Sequence, residues 1–202
     1  MTDHEWDEKL HISTGGRDAS FEDDNHHPYE PTPYAVLERI AESGYLHPGD
    51  QIVDYGSGKG RAAFYFHSQL GCSVIGIERE ESLYHEAMEN AESYREGTGL
   101  NTDGFPGIWF LCEDAEHYEI PETDAFYFFN PFSVTILRGV IRRILESFYT
   151  YGRAMKLFFY YPEDECVAYL MTEEELEYFD DISTRDLFGD DHRECILVFG
   201  IG

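Results

Sequence analysis

The feature that most constrains this chain is the run Gln51-Ile-Val-Asp-Tyr-Gly-Ser-Gly-Lys-Gly-Arg61, followed by Val74-Ile-Gly-Ile-Glu78. A short apolar strand ends in an acid and a three-glycine turn, which opens into a helix; a second apolar strand then ends in Glu78. Strand, glycine turn, helix, strand and acid is the arrangement by which an α/β sheet holds a ligand that carries a ribose. Gly56, Gly58 and Gly60 reach backbone angles closed to other residues, and without side chains they let a ligand approach the main chain. Glu78, at the second strand tip, is placed to accept hydrogen bonds from two ribose hydroxyls.

Glycine spacing decides which ligand is held. A dinucleotide fingerprint reads G-x-G-x-x-G and seats a pyrophosphate on the helix N-terminus. Here the spacing is G-x-G-x-G, with Asp54 two residues before the first glycine. Asp54 would repel a diphosphate but suits a ligand bearing an amine and a sulfonium. That makes a nicotinamide dehydrogenase improbable. A Walker loop also fails, because Gly58-Lys59 is followed by Gly60 instead of Ser or Thr. On these residues the chain resembles the class I S-adenosylmethionine (SAM) methyltransferases, over about residues 28–200, with the specific part in 51–78. The resemblance implies SAM as cofactor, held by Asp54, Tyr55, Gly56, Ser57, Gly58, Gly60 and Glu78, and methyl transfer as the activity.

At 202 residues the chain fits one domain with a full core. No stretch approaches the length of a membrane span, and no basic, apolar leader precedes the fold. Cys72, Cys112, Cys166 and Cys195 are scattered with no C-x-x-C pair, which reads as thiols in a reducing cytoplasm. The formal charge of −27 and the presence of only three lysines, Lys9, Lys59 and Lys156, argue against a nucleic-acid partner. A cationic or small neutral acceptor is favoured; solubility alone accounts for the charge equally well.

Residues 1–27 read as an acidic N-terminal arm, loose or lid-like, and 28–202 as the domain that resembles a methyltransferase. His4, His11, His26 and His27 fall in or beside the arm, but no ligand spacing supports a metal and none is assigned. Pro28-Tyr-Glu-Pro-Thr-Pro-Tyr34 stiffens the entry to a helix, with Thr32 expected as its cap. This block resembles the proline-threonine-proline lead-in of several class I methyltransferases, including lysine methyltransferases acting on the ATP-synthase c subunit. That likeness implies that Thr32 lies over the methionine end of SAM.

The pattern further predicts helices over 59–70, 82–95 and 134–148, strands at 108–111, 125–129, 155–160, 178–182 and 195–199, and a helix start at Thr172-Glu-Glu-Glu175. The sum is an α/β fold: a Rossmann-like, doubly wound, seven-stranded, mostly parallel sheet with helices on both faces. By resemblance, Asp114, with Glu113 as competitor, accepts from the adenine amino group. Asn130-Pro131-Phe132 resembles the Asn/Asp-Pro-Pro-Tyr/Phe signature of amino-group methyltransferases, without its second proline. The implied catalytic roles are Asn130, also counted among the cofactor-binding residues, and the Pro131 carbonyl as acceptors for an amino group, and Phe132 as a stacking face. Tyr29, Tyr34 and Tyr161 are candidate walls of an acceptor pocket, with core packing the plainer reading. The acceptor is a nitrogen of a small molecule or of a protein lysine; the alternative is a catalytically silent SAM-binding subunit or sensor.

Overall fold

A strand buried on both faces must be apolar at nearly every position, not at alternate ones. Ile52-Val53, Val74-Ile75 and Phe126-Tyr127-Phe128 meet that demand, and they form the centre of the sheet. A computed structural model describes residues 1–20 and 25–202. Its strands are β1 (Gln51–Tyr55), β2 (Ser73–Glu78), β3 (Ile108–Cys112), β4 (Ala125–Phe129), β5 (Met155–Tyr160), β6 (Glu177–Ser183) and β7 (Cys195–Ile201). They lie in the order β3-β2-β1-β4-β5-β7-β6. Only β7 runs against its neighbours, between β5 and β6. Strand order reverses between β1 and β4, and a crevice opens at such a point beyond the carboxyl ends of the strands. Register there places Asp54 beside Gly76 of β2 and Tyr127 of β4.

Helices α1 (Asp3–Leu10), α2 (Tyr34–Glu42), α3 (Arg61–Leu70) and α4 (Glu81–Thr98) pack on one face through Leu10, Leu37, Phe64, Phe66 and Tyr94. Helices α5 (Val134–Tyr151) and α6 (Asp164–Leu170) cover the other through Val140, Ile141, Ile144 and Leu170. A short α7 (Arg185–Phe188) joins β6 to β7. The expected doubly wound sheet, with helices on both faces, is the one observed. Residues 113–124, between β3 and β4, contain no helix, and Trp109 and Leu111 remain 38% exposed on β3.

Three local expectations are corrected. The stretch expected to be a loose arm begins with α1, opened by a reciprocal capping box in which Thr2 and Glu5 bond each other's backbone N–H. Trp6, Leu10 and Ile12 are buried, and Trp6 stacks on Tyr34 at a centroid distance of 5.4 Å. Thr32 does not cap α2. Pro33 holds that position, and the Thr32 hydroxyl is instead paired with the Tyr127 hydroxyl at 2.8 Å. No helix starts at Thr172, whose hydroxyl donates to the Tyr169 carbonyl; the helix lies earlier, at α6, with Asp164 and Glu165 in its first turn. The part of the arm that falls at 21–24 lies outside the described residues.

Candidate functional site

The tips of β1, β2, β3 and β4 converge on one crevice that opens to solvent. Asp54 ends β1, is 3% exposed, lines the crevice, and has no hydrogen bond from any described protein group. Burial, with the nearby charge of Glu78 adding to it, pushes its carboxyl up to about 7. Glu78 ends β2 and is 7% exposed. Burial pushes it up as well, while N–H donors of Glu80, Gly58 and Arg79 pull it back. Its two oxygens accept from Gly58 N at 2.8 Å and from Glu80 N at 2.9 Å.

The glycine turn between them is roofed by the segment 25–32. At Gly58 (φ +53°) a Cβ would meet the Tyr29 ring at 2.3 Å, and at Gly56 (φ +76°) it would meet Pro131 at 2.6 Å. Neither position has room for any side chain. The roof is tied down by Tyr29 Oη donating to Thr14 O at 2.6 Å and by paired backbone bonds between Asp18 and Tyr29. It is also held by Ser133 N donating to Asn25 O, His27 N to Pro131 O, and an Arg79–His26 hydrogen bond of 2.8 Å.

Thr32, Asp54, Gly56, Ser57, Glu78, Asp114, Asn130, Pro131 and Phe132 all line the crevice. Glu113 lines it as well, so the two acids at the β3 tip both remain in place; Asp114 already accepts from Glu116 N at 2.8 Å. Ser57 Oγ is buried against Gly76 with no hydrogen-bond partner among the described residues. Three sequence candidates fall elsewhere. The Tyr55 side chain leaves β1 on the face opposite Asp54, where it stacks on Phe128 at 5.2 Å. Gly58 lies under the Tyr29 ring, and Gly60 packs against Phe64 and Phe110.

At the β4 tip, Asn130 adopts φ +39°, a left-handed angle that Asn tolerates better than most residues. Phe132 is 6% exposed, with its ring edge-on to Tyr55 and Phe128, so it is an anchor in the core. Tyr34 is likewise core, and Tyr161 Oη donates to Asp191 at 2.8 Å.

Arg61 was not among the sequence candidates. It is 5% exposed, lines the crevice, and donates to Thr14 Oγ1, Asp3 Oδ2 and Thr32 O. Asp7 completes this network, accepting from Thr14 and from Tyr34 Oη at 2.7 Å. Arg61 follows Gly60 directly, so its place at the helix start was readable, but its partners lie at 3, 7 and 14. Among the described residues that line the crevice, Glu30, Asp54, Glu78, Glu80, Glu113 and Asp114 are set against two arginines, Arg61 and Arg79. That balance suits a cationic ligand.

Known proteins share this fold. An RNA methyltransferase from Salinibacter ruber, solved with S-adenosyl-L-homocysteine, superposes with a TM-score of 0.59 at 18% identity, over 85% of this chain and 92% of that one. The fold is that of the class I methyltransferases. A TehB-like SAM-dependent methyltransferase from Corynebacterium glutamicum shares the methyltransferase fold with a TM-score of 0.52 at 18% identity, over 82% and 86% of the two chains. Magnesium protoporphyrin IX methyltransferase from Synechocystis, with bound SAM, gives 0.55 at 14%, over 83% and 76%. In sequence, 76 residues are 33% identical to the H3 lysine-79-specific histone-lysine N-methyltransferase of Dictyostelium discoideum, covering 38% of this chain and 4% of that protein. No family model matches the chain.

Proposed function

We propose that this chain is a SAM-dependent methyltransferase that acts on an acceptor nitrogen, in a small molecule or a protein lysine. The observation that carries this reading is the buried Asp54 carboxyl, left without a hydrogen bond at the crevice where β1 and β4 part. A buried polar group without a partner is costly, and an ammonium-bearing ligand supplies the missing one. The residues fit the donor: Asp54 for its amino group, Glu78 for its ribose hydroxyls, and Asp114 or Glu113 for its adenine amine. Arg61 already pairs with Asp3 and Asp7 and donates to the Thr32 carbonyl, so its part is to hold that wall of the crevice in place. When bound, SAM supplies an electrophilic methyl on a sulfonium, which a nitrogen lone pair takes as the S–C bond breaks and sulfur keeps the electrons.

The chain's own part is placement. Orienting two reactants at near-attack distance can account for about 7–11 kcal/mol of a barrier. Asn130 sits where its side-chain oxygen can accept from the acceptor amine and hold the positive charge that grows there. An acceptor ammonium must first lose its proton, to water or to a crevice carboxylate.

Asn130→Ala is expected to leave SAM and S-adenosylhomocysteine affinity unchanged by calorimetry and to lower kcat on the order of 10²-fold. Equal loss of both would reject a catalytic role for Asn130. A second reading, a SAM-binding subunit or sensor without turnover, draws on two contacts: the Phe132 ring is held in the core, and the Pro131 carbonyl already accepts from His27 N. Purified protein incubated with methyl-labelled SAM and cell extract separates the two. A labelled product supports the enzyme, and retained donor without product supports the sensor.

A further inference from the structure

The two edge strands of the sheet, β3 and β6, differ in how they meet water. An edge strand offers unpaired N–H and C=O groups to any other strand, and folded chains blunt such edges with charge or a bulge. β6 carries Glu177, Asp180 and Asp181, shifts register at Tyr178/Asp180, and gives its Ser183 carbonyl to Arg39. β3 reads Ile-Trp-Phe-Leu-Cys, with no charge, no proline and no break in register. It is a bare edge on a very acidic chain.

Backbone pairing determines which groups of β3 are free. Val74 N donates to Gly107 O and Glu113 N to Glu78 O, so the odd-numbered residues turn their backbone groups toward β2. Ile108, Phe110 and Cys112 therefore turn theirs outward. Ile108 N already donates to the Thr102 carbonyl, which closes that end of the edge. The N–H and C=O of Phe110 and of Cys112 have no hydrogen-bond partner among the described residues.

Two donors and two acceptors on alternate residues are self-complementary. An antiparallel strand of the same sequence, related by a two-fold axis at Leu111, matches them one for one. Phe110 then exchanges both hydrogen bonds with Cys112 of the second copy, and Cys112 with its Phe110. Leu111 meets its counterpart on the axis, in the kind of pair whose side chains come closest. Leu111 and Trp109 stand on the face that no helix covers, so the contact removes apolar surface from water. Charge favours the same place. Two copies, each of formal charge −27, repel, and an uncharged strip is where they approach with least repulsion.

We propose that the chain forms a two-fold dimer through β3, joining two sheets into one. Each copy has one bare edge and one blunted edge, so the pairing closes at two copies and does not run on into fibres. The paired strands are antiparallel, so the two crevices open at opposite ends of the joined sheet and each copy keeps its own site. The contact is small beside that of obligate dimers, so the dimer is reversible.

Sedimentation equilibrium of the full chain, with a thiol reductant present, is run from about 1 to about 300 µM at low and high salt. The wild type is expected to pass from monomer to dimer with concentration, and to do so at lower concentration as salt screens the repulsion. Hydrogen exchange at the Phe110 and Cys112 amides is expected to slow roughly fivefold across that range. Leu111→Lys puts a charge on the axis, and Cys112→Pro removes an outward N–H at an edge position that tolerates proline. Both variants are expected to stay monomeric at the top concentration with the circular dichroism of the wild type; if one does not fold, the other carries the test. A wild type that is monomeric throughout overturns the proposal, as does a dimer that survives both substitutions or leaves the two amides unprotected. Protection of those amides only when cell extract is added assigns the edge to a different protein and also overturns it.

Discussion

Asp54→Asn is expected to weaken donor binding strongly and, at the same time, to stabilise the ligand-free protein above neutral pH. Both effects come from one buried carboxyl. With its pKa at about 7 in the folded chain against 3.8 for the free side chain, the folded state holds the proton more tightly than the unfolded state does. Folding stability therefore falls as pH rises from about 4 through about 7, and the cost is fully present above that window. Asn carries no charge to bury, so the variant escapes this cost. Its melting temperature should exceed that of the wild type at pH 8 and approach it at pH 4. Binding runs the other way. The donor's ammonium needs the carboxylate, so wild-type affinity should rise with pH up to about 7, with a proton released on binding near pH 6. Removing one partner of a buried charged hydrogen bond costs about 2–5 kcal/mol, so the variant's Kd should rise by roughly 30-fold to a few thousandfold. Calorimetry in buffers of different ionisation enthalpy measures both the affinity and the proton. Unchanged affinity for S-adenosylhomocysteine would remove Asp54 from the site.

Asp7→Ala is expected to be the most damaging substitution for stability, at about 3–5 kcal/mol in urea unfolding. Asp7 lies at the hub where Thr14, Tyr34 and Arg61 meet, and its side chain is 10% exposed against 5% for Arg61. Its loss would leave a guanidinium buried with one of its two carboxylates gone. Asp3→Ala is the control: Asp3 also pairs with Arg61, but its side chain is 47% exposed and water can replace it. The control should cost about 1 kcal/mol or less. If the two substitutions cost the same, the buried network does not hold α1 in place. Because Arg61 lines the crevice, Asp7→Ala should also weaken donor binding in whatever protein remains folded.

What could be read from the sequence follows a physical division. The central strands and the glycine turn were legible because their signal is local: unbroken apolar runs, glycine where φ must be positive, and acids at strand tips. The direction of the Tyr55 side chain follows from a simple rule. Successive strand residues face opposite ways, so if Asp54 faces the crevice, Tyr55 cannot. Helix α1 was missed because its apolar residues are few, Trp6, Leu10 and Ile12, within an acidic stretch, and what they pack on comes from distant residues such as Tyr34 and Tyr65. One local cue was present, the Thr2-Asp-His-Glu5 capping box. The partners of Arg61, the Tyr29 ring over Gly58 and the buried ring of Phe132 are tertiary facts, and no periodicity announces them. Asn130 is legible through its likeness to the Asn/Asp-Pro-Pro-Tyr/Phe signature; its left-handed backbone is not.

Because no helix covers the side of β3 that carries Trp109, the chain's two indoles have unlike surroundings. Trp6 is 5% exposed, with its N–H bonded to Glu38 at 3.2 Å, whereas Trp109 is 38% exposed. A water-borne quencher such as iodide or acrylamide therefore reaches Trp109 first. The emission that survives it comes from Trp6, and so reports optically on whether the first helix is seated against the rest of the molecule.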